Sequence, residues 1–305
     1  MLLTVDVGNT HTVIGGYEYG EEVERAASNA GASSASNAGA SSANNANSAS
    51  NTCTTGSASS ENNAASSPSL RFIWRMATNK KQTEDEIRAT LSSMFFAQHL
   101  DCSCVSGVAL ASVVPQLSMA WKRVSHDLFG VEAFVCSAET TKGLFKADYP
   151  NMHEIGADRI ADAIACVHLY GAPAVVVDFG TATNIEVVNK DGLFVGGIIA
   201  PGVVTSASAL FSFAAKLAAT ELVDPGTVIG KSTETAIQSG IVYGEAGRVD
   251  SLIRRIFAEL GYTAPVIATG GQAPIIASCS ETITHLNAEL TLEGLRLAYE
   301  FNVRK

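Results

Sequence analysis

Leu2-Leu3-Thr4-Val5-Asp6-Val7-Gly8-Asn9-Thr10 and Ala174-Val175-Val176-Val177-Asp178-Phe179-Gly180-Thr181-Ala182-Thr183 carry one pattern twice. In each, a short apolar run bounded by a turn reads as a buried strand. Each strand ends in an aspartate, a glycine that admits a ligand close to backbone N–H groups, and threonine or asparagine side chains for hydrogen bonding. One such turn is commonplace. Two of them facing each other would clamp a nucleoside triphosphate and its metal.

The residues around each turn repeat a whole domain. After the first turn, Thr12–Tyr17 and Arg71–Met76 predict strands. Helical spacing covers 84–100 and 116–129, with strands at 105–114 and 133–135 between and after them. A helix is expected over 155–170, with Ile160, Ala163, Ile164 and Val167 on its apolar face. The second half restarts with strands at 174–178, 184–189 and 193–199. Helices follow at 203–219, 232–259 and 291–302, with a strand at 266–268. Strand, Asp-x-Gly turn, hairpin, then alternating helices and strands predicts an α/β protein of two tandem domains with a central cleft. The boundary is placed near Tyr170-Gly171, giving domains 1–170 and 171–305. Residues 26–69 are almost only Ala, Ser, Asn, Gly and Thr. Such a segment has too little apolar surface to offset its ordering entropy, so a disordered insertion is expected there.

Composition narrows the function. The 305 residues carry 20 Lys and Arg against 30 Asp and Glu, a formal charge of −10. That argues against a nucleic-acid or anionic-membrane surface, which needs a basic face. The six cysteines lack zinc spacing, which predicts free thiols in a reducing compartment. Met1 leads directly into a strand, so no signal peptide and a cytoplasmic location are expected.

Among candidate groups, Asp6 and Asp178 read as two carboxylates converging on a cation across the cleft, or as turn residues bonding their own backbone. Asp158, in Ile155-Gly156-Ala157-Asp158-Arg159, opens a helix. It could serve the helix dipole or act as a general base. Asp162 reads as a solvated helix position. Gly230-Lys231-Ser232-Thr233 fails as a Walker A loop, because Pro225 stands where that motif needs glycine. It reads instead as a capped helix start. Thr269-Gly270-Gly271, after a strand, is either a nucleotide-approach turn or an ordinary strand-to-helix turn.

These motifs, with Asp148-Tyr149-Pro150, Gly196-Gly197-Ile198-Ile199-Ala200-Pro201-Gly202 and Gln238-Ser239-Gly240, resemble the type III pantothenate kinases. These belong to the acetate and sugar kinase, Hsp70 and actin superfamily. The resemblance covers the chain apart from 26–69. It implies two RNase H-like, actin-like ATPase domains and ATP-dependent phosphorylation of pantothenate, the first step toward coenzyme A. By resemblance, Asp6, Val7, Gly8, Asn9, Thr10, His11, Thr12 and Val13 form the ATP loop, with Asp6 holding Mg²⁺ through water and Thr181 contacting ATP. Asp158 is the implied base. Tyr149, Gly156, Ala157, Asp158, Arg159 and Thr233 are the implied pantothenate residues. Asp178 is the implied ligand of K⁺ or NH₄⁺. A cytoplasmic homodimer is implied, with pockets near the subunit interface. His11, Asn184 and Lys216-Leu217-Ala218 depart from the usual pattern. A kinase for another small alcohol and a non-catalytic regulatory relative remain the alternatives.

Overall fold

The computed structural model describes residues 1–19, 68–214, 217 and 219–303. Most of the expected insertion at 26–69 lies outside these residues; its last residue, Ser69, already opens a strand. In the first half, β1 (Leu2–Val7), β2 (His11–Glu18) and β3 (Ser69–Ala77) form an antiparallel meander. Helix α1 (Glu84–Ala97) leads to β4 (Gly107–Ser112), and α2 (Pro115–Phe129) to β5 (Ala133–Val135). Both β4 and β5 pair in parallel, so the sheet order is β3-β2-β1-β4-β5. Helix α3 (Ala157–Tyr170) closes the half.

The second half repeats this plan. β6 (Ala174–Phe179), β7 (Ala182–Val188) and β8 (Phe194–Pro201) form the meander. Two helices, α4 (Val203–Phe213) and α5 (Thr233–Leu260), precede β9 (Val266–Thr269). A short α6 (Ala273–Ala277), β10 (His285–Leu286) and α7 (Leu290–Val303) complete the chain. The order β10-β9-β6-β7-β8 is the first sheet's order over again. Two tandem sheets of this topology make the fold a pair of RNase H-like domains of the actin-like type.

Strand alternation explains where the cleft lies. Leu3, Val5 and Val7 of β1 pack with Ile87, Leu91, Leu117 and Trp121 of α1 and α2. Leu2 points to the other face, with Ile160 and Ile164 of α3 and Leu295 of α7. With a period of two, Asp6 shares that second face. In β6, Val175, Val177 and Phe179 pack on α5, whereas Ala174 and Val176 meet Ala165 and Cys166 of α3 and Leu290 of α7. Asp178 shares the face of Ala174 and Val176. Both aspartates thus leave the carboxyl ends of their strands on the side of a common α3/α7 layer.

That layer accounts for the main departures from expectation. Residues 159–166 of α3 are buried without interruption, rather than along one stripe, because α3 is covered from two sides. Asp162 is therefore buried, and it accepts a hydrogen bond from the Thr291 hydroxyl of α7 at 2.7 Å. The expected helix to residue 219 ends at Phe213, where the Ala214 N–H bonds back to Leu210 O. The five described cysteines, Cys102, Cys104, Cys136, Cys166 and Cys279, are free. Among the described residues no helix is long and apolar enough to cross a membrane.

Candidate active site

Both Asp-Gly turns close through the glycine N–H, the second one residue tighter than the first. Gly8 N–H donates to His11 O, and Gly180 N–H to Ala182 O, each at 3.0 Å. The turns meet across the cleft, where the Thr10 and Thr181 hydroxyls lie 2.7 Å apart. Thr205 at the start of α4 donates its hydroxyl to Thr181 O at 2.6 Å and steadies the second turn. Beneath this bridge is a cavity of about 320 Å³ lined by Asp6, Asp158 and Asp178 together.

Of the expected ATP loop, Asp6, Gly8, Asn9, Thr10, His11 and Val13 line the cavity, as does Thr181. Val7 is buried in the core instead, and Thr12 shares a hydrogen bond of 2.9 Å with Thr78. Thr269, Gly270 and Gly271 also line the cavity. Gly270 has φ of +90°, and a Cβ there would fall 2.4 Å from Asp178 Oδ1, so a larger residue would displace that carboxylate.

The residues expected to bind pantothenate split into three places. Asp158 lines the cavity, near the start of α3. Its Oδ1 accepts the Arg159 backbone N–H at 2.9 Å. Gly156 caps that helix, and a Cβ there would lie 2.4 Å from Asp158 Oδ1. Ala157 is the first residue of α3. Arg159 turns away from the cavity. Its Nε donates to Glu186 Oε1 at 3.1 Å, and its guanidinium lies 5.2 Å from the Phe194 ring centroid. Tyr149 meets the same Phe194 ring edge-on at 5.8 Å. Gly197 is needed there, since a Cβ would sit 3.1 Å from Arg159 Nη2 and 1.9 Å from Ile185 O. Thr233, the first residue of α5, is exposed and outside the cavity. Ser232 caps that helix by accepting the Thr235 N–H, which bears out the reading of Gly230–Thr233 as a helix start.

Two residues of this region went unread in the sequence. Glu186 is fully buried, and its Oε2 has no hydrogen-bond partner. Its signal was a lone acid in the apolar strand Ile185-Glu186-Val187-Val188. Arg75 lines the cavity from β3. Nothing local marks it, because β3 alternates like any half-buried strand.

The cleft gathers acid groups that repel one another. Withdrawal from water raises the Asp6 carboxyl well above the usual range, and Asp158 and Asp178 push it further. Asp178 rises to about 7, through burial and then Asp158. Glu186 rises to about 8 by burial, against the pull of Arg159. Asp162 rises by burial beside Asp178 and Glu186. Burial raises the Asp158 carboxyl, against the backbone N–H and the charge of Arg159, which both lower it. A cation between such groups would relieve the repulsion. No cluster of three or more His, Cys, Asp or Glu among the described residues forms a ready metal cage. The donor set instead suits an ion that arrives with phosphate oxygens and needs only one or two carboxylates.

These shifts set a direction for stability. A carboxyl whose folded pKa exceeds its unfolded value binds more protons when folded, so its stabilising effect fades as pH rises through the folded value. For Asp178 and Glu186 the window runs from the ordinary carboxylate range to about 7 and about 8. Thermal melting of the ligand-free chain is therefore expected to fall between pH 6 and pH 8.5. Glu186→Gln should flatten that slope; an unchanged slope would place these protons elsewhere.

The profile of the type III pantothenate kinase family matches residues 49–255. A type III pantothenate kinase of Roseiflexus castenholzii is 42% identical over 303 residues, covering 99% of both chains. That of Geobacillus thermodenitrificans is 41% identical over 236 residues, 77% of this chain and 91% of its own. Among solved structures, a Baf-family protein of Campylobacter jejuni superposes with a TM-score of 0.54 at 15% identity, covering 99% of this chain and 100% of its own, a likeness of fold. A full-length relative above two-fifths identity and a matching family profile place this chain in the type III pantothenate kinase family.

Proposed function

We propose a division of labour for the family reaction, the ATP-dependent phosphorylation of pantothenate that begins coenzyme A synthesis. The observation that carries it is the meeting of Asp6, Asp158 and Asp178, from three distant segments, under the Thr10–Thr181 bridge. The N–H groups and hydroxyls of the two turns hold the phosphates of ATP, with Asp6, Gly8, Asn9, Thr10, His11, Val13 and Thr181 nearest them. Asp158 accepts the proton of the pantothenate primary hydroxyl. The oxygen of that hydroxyl bonds to the γ-phosphorus in line, the bond to the β–γ bridging oxygen breaks, and ADP leaves with the electron pair.

Asp6 would hold Mg²⁺ through water, and Asp178 would hold K⁺ or NH₄⁺. The chemistry such ions supply is neutralisation of charge on the phosphates. Arg159, held by Glu186 and the Phe194 ring, and Tyr149 on that same ring would form the wall of a pantothenate pocket that adjoins the cavity at the start of α3. Thr233, at the exposed start of α5, does not line the cavity, so its part in the pocket would belong to a homodimer. Exposed apolar side chains support that assembly: Ile199, Val204, Leu210 and Phe213 along β8 and α4, and Val228 and Ile229 just before α5. Tyr170-Gly171 separates the two domains, with α7 returning to the first. Free thiols suit the reducing cytoplasm, and the charge of −10 suits neither nucleic acid nor membrane.

Coupled ADP release tests the proposal. Pantothenate, ATP, Mg²⁺ and K⁺ should give turnover that falls when Na⁺ replaces K⁺, from a preparation sedimenting at twice the mass of one chain. ADP release no greater with pantothenate than without it would overturn the substrate; a monomer with full activity would overturn the role of Thr233.

A further inference from the structure

Among the described residues, the cavity that gathers three carboxylates has one Lys or Arg on its wall, Arg75. We propose that Arg75 is a phosphate-binding residue, gripping the polyphosphate of ATP from the β3 side of the cleft. This rests on the kinase reading above and adds to it a contact with the nucleotide.

The placement follows from the strand. Phe72, Trp74 and Met76 turn to one face of β3 and pack on the core beneath α1. Phe72 and Trp74 stack at 4.0 Å, and Phe95 meets Trp74 edge-on at 5.1 Å. Arg75 alternates to the opposite face, level with Val13 of β2, another cavity residue just beyond the first turn. A strand clamped by aromatic packing on one side holds the side chain on the other side in place. The guanidinium crosses toward the second domain: Nη1 lies 3.8 Å from where a Cβ of Gly271 would be. Gly271 has no side chain to stand between Arg75 and the second turn. Arg75 thus reaches from the first sheet toward the glycine turn that borders Asp178.

Its charge is uncommitted. Arg71, two residues earlier, pairs with Glu18, and Arg159 pairs with Glu186. Arg75 has no ion pair among the described residues, although Asp6, Asp158 and Asp178 line the same cavity. A triphosphate brings several negative charges into a pocket already negative. Backbone N–H groups carry only partial charge, so a fixed cation on the wall adds a charge-assisted contact to theirs and to any bound ion's. A guanidinium is always charged and matches phosphate oxygens in bidentate fashion. Adenine and ribose give it no comparable partner.

Direct binding separates this role from others. Arg75→Ala should weaken ATP about 10-fold to 100-fold, the scale of a charge-assisted contact. Adenosine affinity and the KM for pantothenate should not change. Arg75→Lys should recover part of the loss, having charge without the planar fork. The salt dependence of ATP binding should be shallower in Arg75→Ala than in wild type. Wild-type affinity for ATP in Arg75→Ala would overturn the inference, as would an equal loss for adenosine and ATP. Failure of the wild-type chain to bind ATP at all would instead overturn the kinase reading on which it rests.

Discussion

Asp158→Asn is expected to lower kcat by about 10²-fold to 10³-fold, with ATP affinity within about threefold of wild type. Asparagine keeps the shape and the oxygen that accepts the Arg159 N–H at 2.9 Å, so the start of α3 should hold. What is lost is the ability to take a proton. General-base catalysis spans about 10²-fold to 10⁴-fold. The lower part of that range applies because phosphoryl transfer is loose, and the attacking hydroxyl gives up its proton late. Asp158→Ala should be worse, since it also loses the group that orients the hydroxyl. Burial raises the Asp158 carboxyl, so the acidic limb of the wild-type kcat/KM profile should lie above the ordinary carboxylate range. That limb should vanish in Asp158→Asn. Steady-state kinetics from pH 5 to 9 check both points, and an Asn variant with wild-type kcat would remove Asp158 as the base.

The second large effect concerns stability. Gly294→Ala should lower the melting temperature by several degrees, for a cost of about 1–3 kcal/mol from overpacking. Helices α3 and α7 cross closely there: a Cβ on residue 294 would fall 1.9 Å from Ala161 O and 2.4 Å from Ala161 C. Both atoms belong to backbone, so no side chain can rotate aside. The better helix propensity of alanine returns only about 1 kcal/mol. The damage should also reach the cleft, because Thr291 and Leu292 of α7 line it and Thr291 holds Asp162. Calorimetry on Gly294→Ala, with exposed Gly261→Ala as a contrast, measures it. Gly261 has φ of +78° and open space around it, so it reports backbone strain alone. An unchanged melting temperature in Gly294→Ala would mean that the α3/α7 crossing can spread at little cost.

Much of this architecture was legible because the signals are local. The strands at 174–179 and 266–269 open on buried aliphatic runs, Ala174 to Val177 and Val266 to Ala268, and their reading needed no partner. Asp6 and Asp178 were legible because each ends such a run before a glycine turn. The helix start at Gly230–Thr233 was legible because hydroxyl residues stand there before a helical run, and the structure chose Ser232 as the cap through Thr235, three residues on. Asp162 was misread because residues 157–170 resemble a helix with one apolar stripe, and its second cover comes from α7, about 130 residues later in the chain. Glu186 and Arg75 escaped for a related reason. Their meaning depends on Arg159 and on Gly271, which no spacing rule connects to them.

The sequence by itself determined two strand-turn-hairpin repeats, and through their period of two it fixed which face of each sheet Asp6 and Asp178 occupy. The period reports only how a segment divides its own side chains between two sides. The tertiary structure decided what lies on those sides: α3 and α7 shared between the sheets, Asp162 and Glu186 sealed beside the cleft, and Arg75 crossing it. Those outcomes depend on contacts between distant segments, where burial and charge act through space and not along the chain.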